Sequence, residues 1–579
     1  ALNALAQLYE NGHPGIVDVN ITTAVRLYNQ SAVLGNSAAQ FTMGVLYSQG
    51  LFGVPLDEAS AVLHFFFSAM GGHPEAQLAM GHRHHLGINV PKRCSTAVLF
   101  MELAANVAID YVQGRGARAA SHASHQLTPP PTPPKNPGNV PPLDQVVAYY
   151  QNLAEKGEPG VLTVLGQLFY YGARGVEQDF DRAASYFLQA TEKGDSVAAG
   201  NVGHMYAHGL GVQQDFEAAK AFFQKAADAG EASGVNGLGY LHLNGYGFPR
   251  RPKTAEDMFK RAMEAGSSDA AYNLGMQYLT GTNGKDFRMA LTTLTVAFNQ
   301  NHLPATHKLA QMYLHGLGIT ASCSKAMSLF QRVANKGPWC VLYTFSRGYN
   351  KLMEDNIMGA VLEYARAAEM GYVRAQVTAA YLLDRVVASS LEEGEDSFRF
   401  LVEGGYTRPE EGAAEGSLEE GAAAGSLEEG AAGGAGEVLP PDAAQEDTAD
   451  TAEGLVTRAA TNITTPAAAA QYRAMQLFQR ASDQHDVPSL VKLGDYHWYG
   501  LAGLPQSHAR AGHFYRRAAE EGRNAQSLFN LGFMHEYGVG LSRDQHLAKR
   551  YYDQALEANP AAFAPVTVAT TRMLLRRLW

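Results

Sequence analysis

Cysteine, charge and long apolar runs are all scarce in this chain of 579 residues. Only three residues are cysteines and only 17% are charged. No run reaches the roughly 18 consecutive apolar residues that a membrane-spanning helix requires, so we expect no membrane span. The sequence starts at Ala1, without a methionine followed by a basic and apolar leader. We therefore expect a trimmed part of a longer protein, from which a signal peptide or an anchor could have been removed.

The three cysteines, Cys94, Cys323 and Cys340, do not suggest a disulfide framework. If residues 324–336 form one helix, it is about 20 Å long. It then separates Cys323 from Cys340 by more than the roughly 7 Å that a disulfide allows between Cα atoms. We therefore expect mostly free thiols, which argues against a repeat scaffold stapled by disulfides.

Sequence templates for catalysis are missing as well. The chain has no Gly-x-Ser-x-Gly elbow, no His-Glu-x-x-His zinc helix and no Gly-rich loop ending in Gly-Lys-Ser/Thr. Its Gly-x-Gly pairs join predicted helices and follow no strand, which removes the phosphate-binding mechanism. Paired acids such as Glu419 and Glu420 lie in low-complexity sequence without rigid geometry. We predict a protein that is not an enzyme and assign no catalytic residue, cofactor or metal.

Negative charge is concentrated in one segment. The net charge is −11, and residues 392–453 hold 18 Asp or Glu against only Arg399 and Arg408. That segment alone carries −16, so the remaining sequence carries +5. The remainder has no Lys/Arg stripe for phosphate contacts, and we therefore do not expect a nucleic-acid partner.

A regular repeat is the main feature that the sequence does contain. A Leu-Gly or Val-Gly pair recurs with its glycine at positions 166, 203, 239 and 275, at spacings of 37, 36 and 36 residues. This is the length of a two-helix repeat. Gly203 falls inside the first helix, where glycine costs about 1 kcal/mol relative to alanine. We therefore predict that two helices approach there too closely for a side chain.

The turns of the repeat are also marked. Gly209 and Gly211 are predicted to supply positive φ angles between the two helices, and Gly230 is predicted to end the second helix. Asp215 precedes the second helix and is predicted to cap its N-terminus. The apolar residues from Ala218 onward recur at offsets of three and four, which predicts a packing face.

The same frame predicts the fold class and the domain boundaries. We predict an all-α fold, an α/α superhelical solenoid of about ten to twelve two-helix repeats with a concave surface for binding. The predicted segments are N-terminal repeats (1–107), a Pro-rich linker (108–143), central repeats (144–386), an acidic low-complexity insert (387–468), C-terminal repeats (469–560) and an amphipathic tail (561–579). The linker and the insert are predicted to be disordered because their compositions cannot bury enough apolar surface.

Two groups of histidines invite a metal-binding interpretation. His204 and His208 lie four residues apart on one predicted helix, but no Cys or acidic residue lies nearby in the repeat as a third ligand. His82, His84 and His85 fall at a helix end, where cationic side chains favour the dipole. Structural roles account for both groups more simply.

Three sequons and the C-terminal tail are candidate modification and contact sites. The sequons begin at Asn20, Asn29 and Asn462, and they become meaningful if the chain is luminal. The tail TRMLLRRLW combines apolar residues with three arginines. It could lie on a membrane surface, dock in the groove of a partner or cap the last repeat.

The repeated unit Leu-Gly-x-x-Tyr-x-x-Gly-x-Gly-Val, followed by an Ala-rich helix, resembles the Sel-one-like repeat, a relative of the tetratricopeptide repeat. The stretches LGQLFYYGARGVEQDFDRAASYF, LGDYHWYGL and FNLGFMHEYGVGLSRDQHLAKRYYDQALEANPAA are similar to the luminal adaptors of the membrane ubiquitin ligase of endoplasmic-reticulum-associated degradation. The Pro-rich linker and the acidic insert depart from the compact pattern of that family.

The resemblance implies a non-catalytic adaptor in the lumen of the endoplasmic reticulum (ER). Its implied partners are a membrane ubiquitin ligase, an ER lectin that acts as substrate receptor, and misfolded glycoproteins. The residues expected to face partners are His497, Trp498, Tyr499, His535, Glu536, Tyr537, Leu574, Leu575, Leu578 and Trp579. Two alternatives stay open: a cytosolic scaffold of the same repeat family, and a metal-dependent hydrolase that uses His204 and His208.

Overall fold

The computed structural model describes residues 1–12, 16–114, 143–155, 159–172, 178–282, 284–337, 339, 341–354, 356–387 and 466–578. Within these ranges the regular elements are helices, and there is no β-strand. The predicted all-α fold of two-helix repeats is confirmed.

The helices fall into three consecutive blocks. The N-terminal block contains α1 (Leu2–Asn11), α2 (Ile21–Val33), α3 (Ser37–Gln49), α4 (Glu58–Met70), α5 (Pro74–Leu86) and α6 (Cys94–Gly114). The central block contains α7 (Leu143–Glu155), α8 (Pro159–Tyr171), α9 (Phe180–Glu192), α10 (Ser196–His208), α11 (Phe216–Asp228), α12 (Ala232–Asn244), α13 (Pro252–Glu264), α14 (Ser268–Thr280), α15 (Phe287–Asn299), α16 (Leu303–His315), α17 (Cys323–Ala334), α18 (Val341–Met353), α19 (Ile357–Glu369) and α20 (Val373–Tyr381). The C-terminal block contains α21 (Pro466–Ser482), α22 (Val487–Tyr499), α23 (His508–Gly522), α24 (Ala525–Tyr537), α25 (Gln545–Ala558) and α26 (Phe563–Leu578).

Capping residues define each repeat locally, as the unit of α10 and α11 illustrates. Gly209 ends α10 with φ 67° and ψ 39°, and its N–H donates to the carbonyl of Met205. The carboxylate of Asp215 accepts hydrogen bonds from the first free N–H groups of α11. Helix α11 ends at Asp228, and Gly230 follows with φ 87°. The predicted turn and cap roles are confirmed here.

The glycine inside the first helix of several repeats lies against an aromatic side chain of the second helix. A Cβ added at Gly166 would lie 2.6 Å from Cδ1 of Phe187, and one added at Gly203 would lie 2.7 Å from Cδ1 of Phe223. Both phenylalanines are almost completely buried. The predicted close approach of paired helices is therefore confirmed, and the glycine is the residue that permits it.

Two compact units divide the chain. The first unit comprises Ala1–Val45 and Glu58–Ala375, and the second comprises Leu46–Asp57 and Gln376–Trp579. In each unit, small and aromatic side chains form the core between consecutive helices. Examples are the cluster around Leu165 and Phe187 in the first unit and the cluster around Tyr515 and Leu531 in the second.

The expectation of mostly free thiols is wrong for two of the three cysteines. Cys94 and Cys323 form a disulfide in the first unit, with their Cα atoms 6.2 Å apart. They are the first residues of α6 and α17, which pack against each other although 229 residues separate the two cysteines. Local spacing separates Cys323 from Cys340 but does not reveal which distant helix packs alongside α17. Cys340 lies outside the described residues.

Helix α6 is also unusually apolar. Among the described residues, its segment Cys94–Val112 is the one helix that is long and apolar enough to cross a membrane by length and composition. In the first unit this helix packs against α5 and α17, and Ala97, Met101 and Ala104 are completely buried. Its apolar composition therefore has a role in the protein core.

Candidate functional site

The predicted partner-facing residues of the C-terminal block lie at the ends of its first helices. His497, Trp498 and Tyr499 end α22, and His535, Glu536 and Tyr537 end α24. The two triplets occupy equivalent positions in their repeats. Each one directly precedes the glycine that ends its helix, Gly500 for α22 and Gly538 for α24.

Glu536 is the centre of a charged contact with the tail helix. It is 2% exposed, and its carboxylate accepts hydrogen bonds from the Tyr552 hydroxyl (2.9 Å) and from Nε and Nη2 of Arg572 (3.0 and 2.8 Å). Arg576 adds a third donor group at 3.4 Å. The hydrogen bond to Glu536 raises the pKa of the Arg572 guanidinium. Glu536 therefore holds α26 through hydrogen bonds to charged groups, which are stronger than neutral ones.

The face of the Tyr537 ring also contacts the two arginines of α26. The guanidinium carbons of Arg572 and Arg576 lie 5.0 and 4.8 Å from the centre of this ring, within the range of a cation–π interaction. Phe533 packs against Tyr537 with ring centres 4.5 Å apart, and Trp498 reaches Phe533 at 6.1 Å. The two predicted triplets are thus brought together in one aromatic row.

The two histidines of these triplets are packed inside the block. His535 is 5% exposed, stacks on Tyr551 and places Nδ1 2.9 Å from the Ser542 carbonyl oxygen. His497 stacks on Phe514. Burial, with a smaller effect of the charge on Arg510, lowers the pKa of His497 to about 4. This imidazole is therefore neutral at pH 7.

Exposed apolar side chains remain on the outer face of α26. Its inner face packs on α25 through Val566, Ala569 and Met573. On the outside, Leu574 is 60% exposed and Leu575 is 55% exposed. Of the other predicted tail residues, nothing is described for the side chain of Leu578, and Trp579 lies outside the described residues. Among the predicted partner-facing residues, the exposed apolar surface is that of Leu574 and Leu575, together with Tyr499, which is 66% exposed.

Sequence reasoning missed the residues that fix this surface. Arg572 and Arg576 were noted only as basic tail residues, yet they bind Glu536 and Tyr537 from one face of α26. Their spacing of four residues on a helix is the signal that could have identified them. His535 and Glu536 are buried inside the block, and Glu536 and Tyr537 contact the arginines of α26, so these contacts position α26.

Four of the remaining candidate residues, two asparagines and two histidines, lie in the first unit. Asn29 of α2 and Asn20, the residue before this helix, are exposed, and Oδ1 of Asn20 accepts a hydrogen bond from the Thr23 N–H at 2.9 Å. Asn462 lies outside the described residues.

His204 and His208 are exposed with ring centres 4.2 Å apart. No group of three or more His, Cys, Asp or Glu residues that could hold a metal ion occurs in the described part of the chain.

The sequence also matches proteins that are already known. The model of the Sel1 repeat matches residues 1–36, 37–73, 74–106, 162–195, 196–231, 232–267, 268–291, 303–338, 470–486, 487–522 and 525–560. Among solved structures, a Sel1 repeat protein from Oxalobacter formigenes is similar, with 22% identity over 58% of this chain and 82% of that chain and a TM-score of 0.28.

Several relatives, including a human and a plant protein, match almost the whole chain. The human "Protein sel-1 homolog 2" is 33% identical over 557 residues, which cover 96% of this chain and 69% of the relative. The Arabidopsis thaliana protein named "ERAD-associated E3 ubiquitin-protein ligase component HRD3B" is 28% identical over 593 residues, 96% of this chain and 73% of the relative. Eleven repeat matches along the chain and the extended similarity to the human relative show that this chain belongs to the Sel1 repeat family.

Proposed function

We propose that this chain is a non-catalytic scaffold of ER-associated degradation. It recruits misfolded glycoproteins in the ER lumen, together with a lectin that acts as substrate receptor, to a membrane-embedded ubiquitin ligase. The observation that carries the proposal is the similarity over 96% of the chain to a plant protein named as a component of such a ligase. A shorter match points the same way, since the Arabidopsis thaliana component HRD3A is 46% identical over 105 residues, 18% of this chain.

The disulfide supports the luminal location. Disulfides persist in oxidising compartments such as the ER lumen and are rare in the reducing cytosol. Cys94 and Cys323 join helices from two separate blocks of repeats. Asn20 and Asn29, the asparagines of two sequons, are exposed, as N-glycosylation in the same compartment requires.

The ligase contacts the outer face of α26 in this proposal. Leu574 and Leu575 are exposed apolar residues on a helix that Glu536 fixes in place. A rigid helix that presents apolar residues can dock in a partner groove or at a membrane surface without a large loss of entropy on binding. The scaffold then acts by effective concentration, because substrate, receptor and ligase bound to one chain meet more often than free molecules do.

Charged substitutions at the tail test this interface. Replacing both Leu574→Asp and Leu575→Asp puts two charges on the outer face of α26 and leaves its packed inner face unchanged. We expect at least a tenfold loss of the membrane ubiquitin ligase that co-purifies with the chain from ER membranes, measured by quantitative mass spectrometry.

The matched control is Val33→Asp with Leu34→Asp, because these residues form an equally apolar pair in the first unit and are 80% and 76% exposed. This variant should retain the ligase. Equal recovery of the ligase with both double variants would contradict the proposed interface.

The rival function is a cytosolic scaffold for a different enzyme. Enzymatic deglycosylation of native protein separates the two, because cytosolic Asn20 and Asn29 carry no N-glycan. A native chain without glycans, and with Cys94 and Cys323 reduced, would favour the cytosolic scaffold.

A further inference from the structure

Helix α19 is buried in an unusual way for the second helix of a repeat. In α11, a second helix of the same length, the buried residues are Ala219, Phe223 and Ala226. In α19, every residue from Gly359 to Glu369 is buried. The face that other second helices turn to solvent is therefore covered in α19.

The covered face carries charge. Counted from the first residue of each helix, Arg366 and Glu369 of α19 correspond to Lys225 and Asp228 of α11. The α11 side chains are exposed, whereas Arg366 is 7% and Glu369 is 1% exposed. Burial of such groups is tolerated only when each one is paired.

Glu10, in the last turn of α1, pairs with Arg366. The two Nη atoms of Arg366 donate to the two oxygens of Glu10 at 2.9 and 2.8 Å. Lys351 of α18 donates to the same carboxylate at 3.1 Å, and the Tyr28 hydroxyl of α2 donates at 2.5 Å. Helix α3 adds Thr42, whose hydroxyl accepts from Arg366 at 3.5 Å.

Arg83 of α5 pairs with Glu369 of α19. In this second pair the cation comes from the N-terminal block and the anion from α19. Arg83 is completely buried, and its Nη2 donates to Glu369 at 2.8 Å. Its Nη1 donates to Glu58, the first residue of α4, at 2.9 Å. We define the N-terminal groove as the surface formed by Glu10, Tyr28, Thr42, Glu58 and Arg83, to which α1 to α5 each contribute one residue.

The charges of this contact are complementary and fixed in register. A helix shifted by one turn would bring Arg366 away from Glu10 and Glu369 away from Arg83, and would leave buried charges unpaired. The groups that meet in these pairs are charged or hydroxyl groups, which water can solvate when the pairs separate. The charge pairs therefore favour α19 over helices with another charge pattern. The contact can nevertheless open.

We propose that the N-terminal groove is a helix-binding site that the chain's own α19 occupies, so that a partner helix binds there only by displacing α19. The partner is a helix with the charge pattern Arg-x-x-Glu, as in Arg366 and Glu369. This is helix-in-groove recognition, with an internal ligand that blocks the groove until a competitor of the same chemistry arrives.

A peptide-binding experiment on the full chain tests the proposal. The probe is a fluorescent synthetic peptide with the sequence of residues 356–370, followed by fluorescence anisotropy. The wild-type chain should bind it weakly, since the groove is filled. The double variant Arg366→Ala with Glu369→Ala loses the resident charges on α19 but keeps the groove residues. It should bind the peptide at least tenfold more tightly than wild type.

Two controls accompany this variant. Lys225→Ala with Asp228→Ala changes the corresponding exposed residues of α11 and should bind no more peptide than wild type does. A peptide that itself carries both alanines should not bind the Arg366→Ala/Glu369→Ala chain. Folding is checked by circular dichroism and by retention of the Cys94–Cys323 disulfide.

A milder variant covers the case in which the double variant misfolds. Arg366→Lys keeps the charge but loses the two parallel hydrogen bonds to Glu10, and it should show an intermediate gain in peptide binding. A folded variant of either kind that binds the peptide no better than wild type would overturn the proposal. So would tight binding of the peptide to the wild-type chain.

Discussion

Single glycines set the distance between the two helices of a repeat. Gly166 and Gly203 lie in helix interiors, where alanine is intrinsically preferred by about 1 kcal/mol. Their contacts with Phe187 and Phe223 explain the choice, because an added methyl group would overlap a buried ring. Sequence spacing alone identified both glycines, since the close approach recurs in each repeat and therefore appears as a periodic signal.

Gly166→Ala is expected to destabilise the first unit by about 1–3 kcal/mol, the usual range for overpacking a core. Its Cβ would lie 2.6 Å from the ring of Phe187. The matched control is Gly160→Ala on the same helix, where an added Cβ has no neighbour within 4 Å. This control should be neutral or slightly stabilising, because alanine favours a helix. Urea unfolding followed by circular dichroism measures both, and equal midpoints would contradict the role of Gly166.

At the scale of elements, helices that are distant in sequence meet in the first unit. Helix α16 contacts α6 through His307, whose Nε2 lies 2.8 Å from Oδ1 of Asn106. Burial is the main cause that lowers the pKa of His307 to about 4. Lys308 lowers it further, while Glu102 and Asp110 of α6 oppose the shift.

This shift predicts acid sensitivity of the first unit. Between pH 6.5 and about 4 the unfolded chain binds a proton at His307 and the folded chain does not. The stability that His307 provides is therefore fully present above pH 6.5 and is lost as the pH falls, by at most about 1.4 kcal/mol per pH unit. The variant His307→Gln should therefore lose less folding stability than wild type as the pH falls over this range. Urea unfolding at pH 7, 6 and 5 measures the difference.

The control for this experiment is His315→Gln, because His315 is exposed on the same helix. Its pH dependence should equal that of wild type. A His307→Gln chain with the full acid sensitivity of wild type would show that other groups cause the effect.

Sequence patterns predicted local structure far better than distant contacts. The helix pair, its turn glycines and the cap at Asp215 all depend on residues within one repeat. The contact of Arg83 with Glu369 spans 286 residues, and nothing periodic in the sequence marks it. The candidate site shows the same limit, since the triplet at His535 was found from its motif but its inward orientation depends on the tail helix.

At the scale of the whole molecule, a disulfide links the N-terminal and central blocks in addition to the backbone. The Cys94–Cys323 disulfide closes a loop of 229 residues between α6 and α17. A disulfide stabilises a fold mainly by restricting the unfolded chain, and its effect is typically about 2–4 kcal/mol.

Removing this disulfide with Cys94→Ala and Cys323→Ala should therefore destabilise the first unit by about 2–4 kcal/mol. Urea unfolding under non-reducing conditions measures the effect, and Cys340→Ala, which leaves Cys94 and Cys323 in place, is the control. Mass spectrometry of an unreduced digest should recover a linked peptide pair that contains Cys94 and Cys323. Recovery of both as alkylated thiols from native protein would contradict the bond.

The pairing of Glu10 with Arg366 has a consequence for synthesis of the protein. These residues are 356 positions apart, and ribosomes add about 5–20 residues per second. The first repeats therefore wait on the order of tens of seconds for their charged counterparts to emerge. Through much of that interval Cys94 is a thiol without its partner, open to mixed disulfides with oxidoreductases. The nascent chain should depend on chaperones and disulfide isomerases more than a repeat array with neighbour contacts alone.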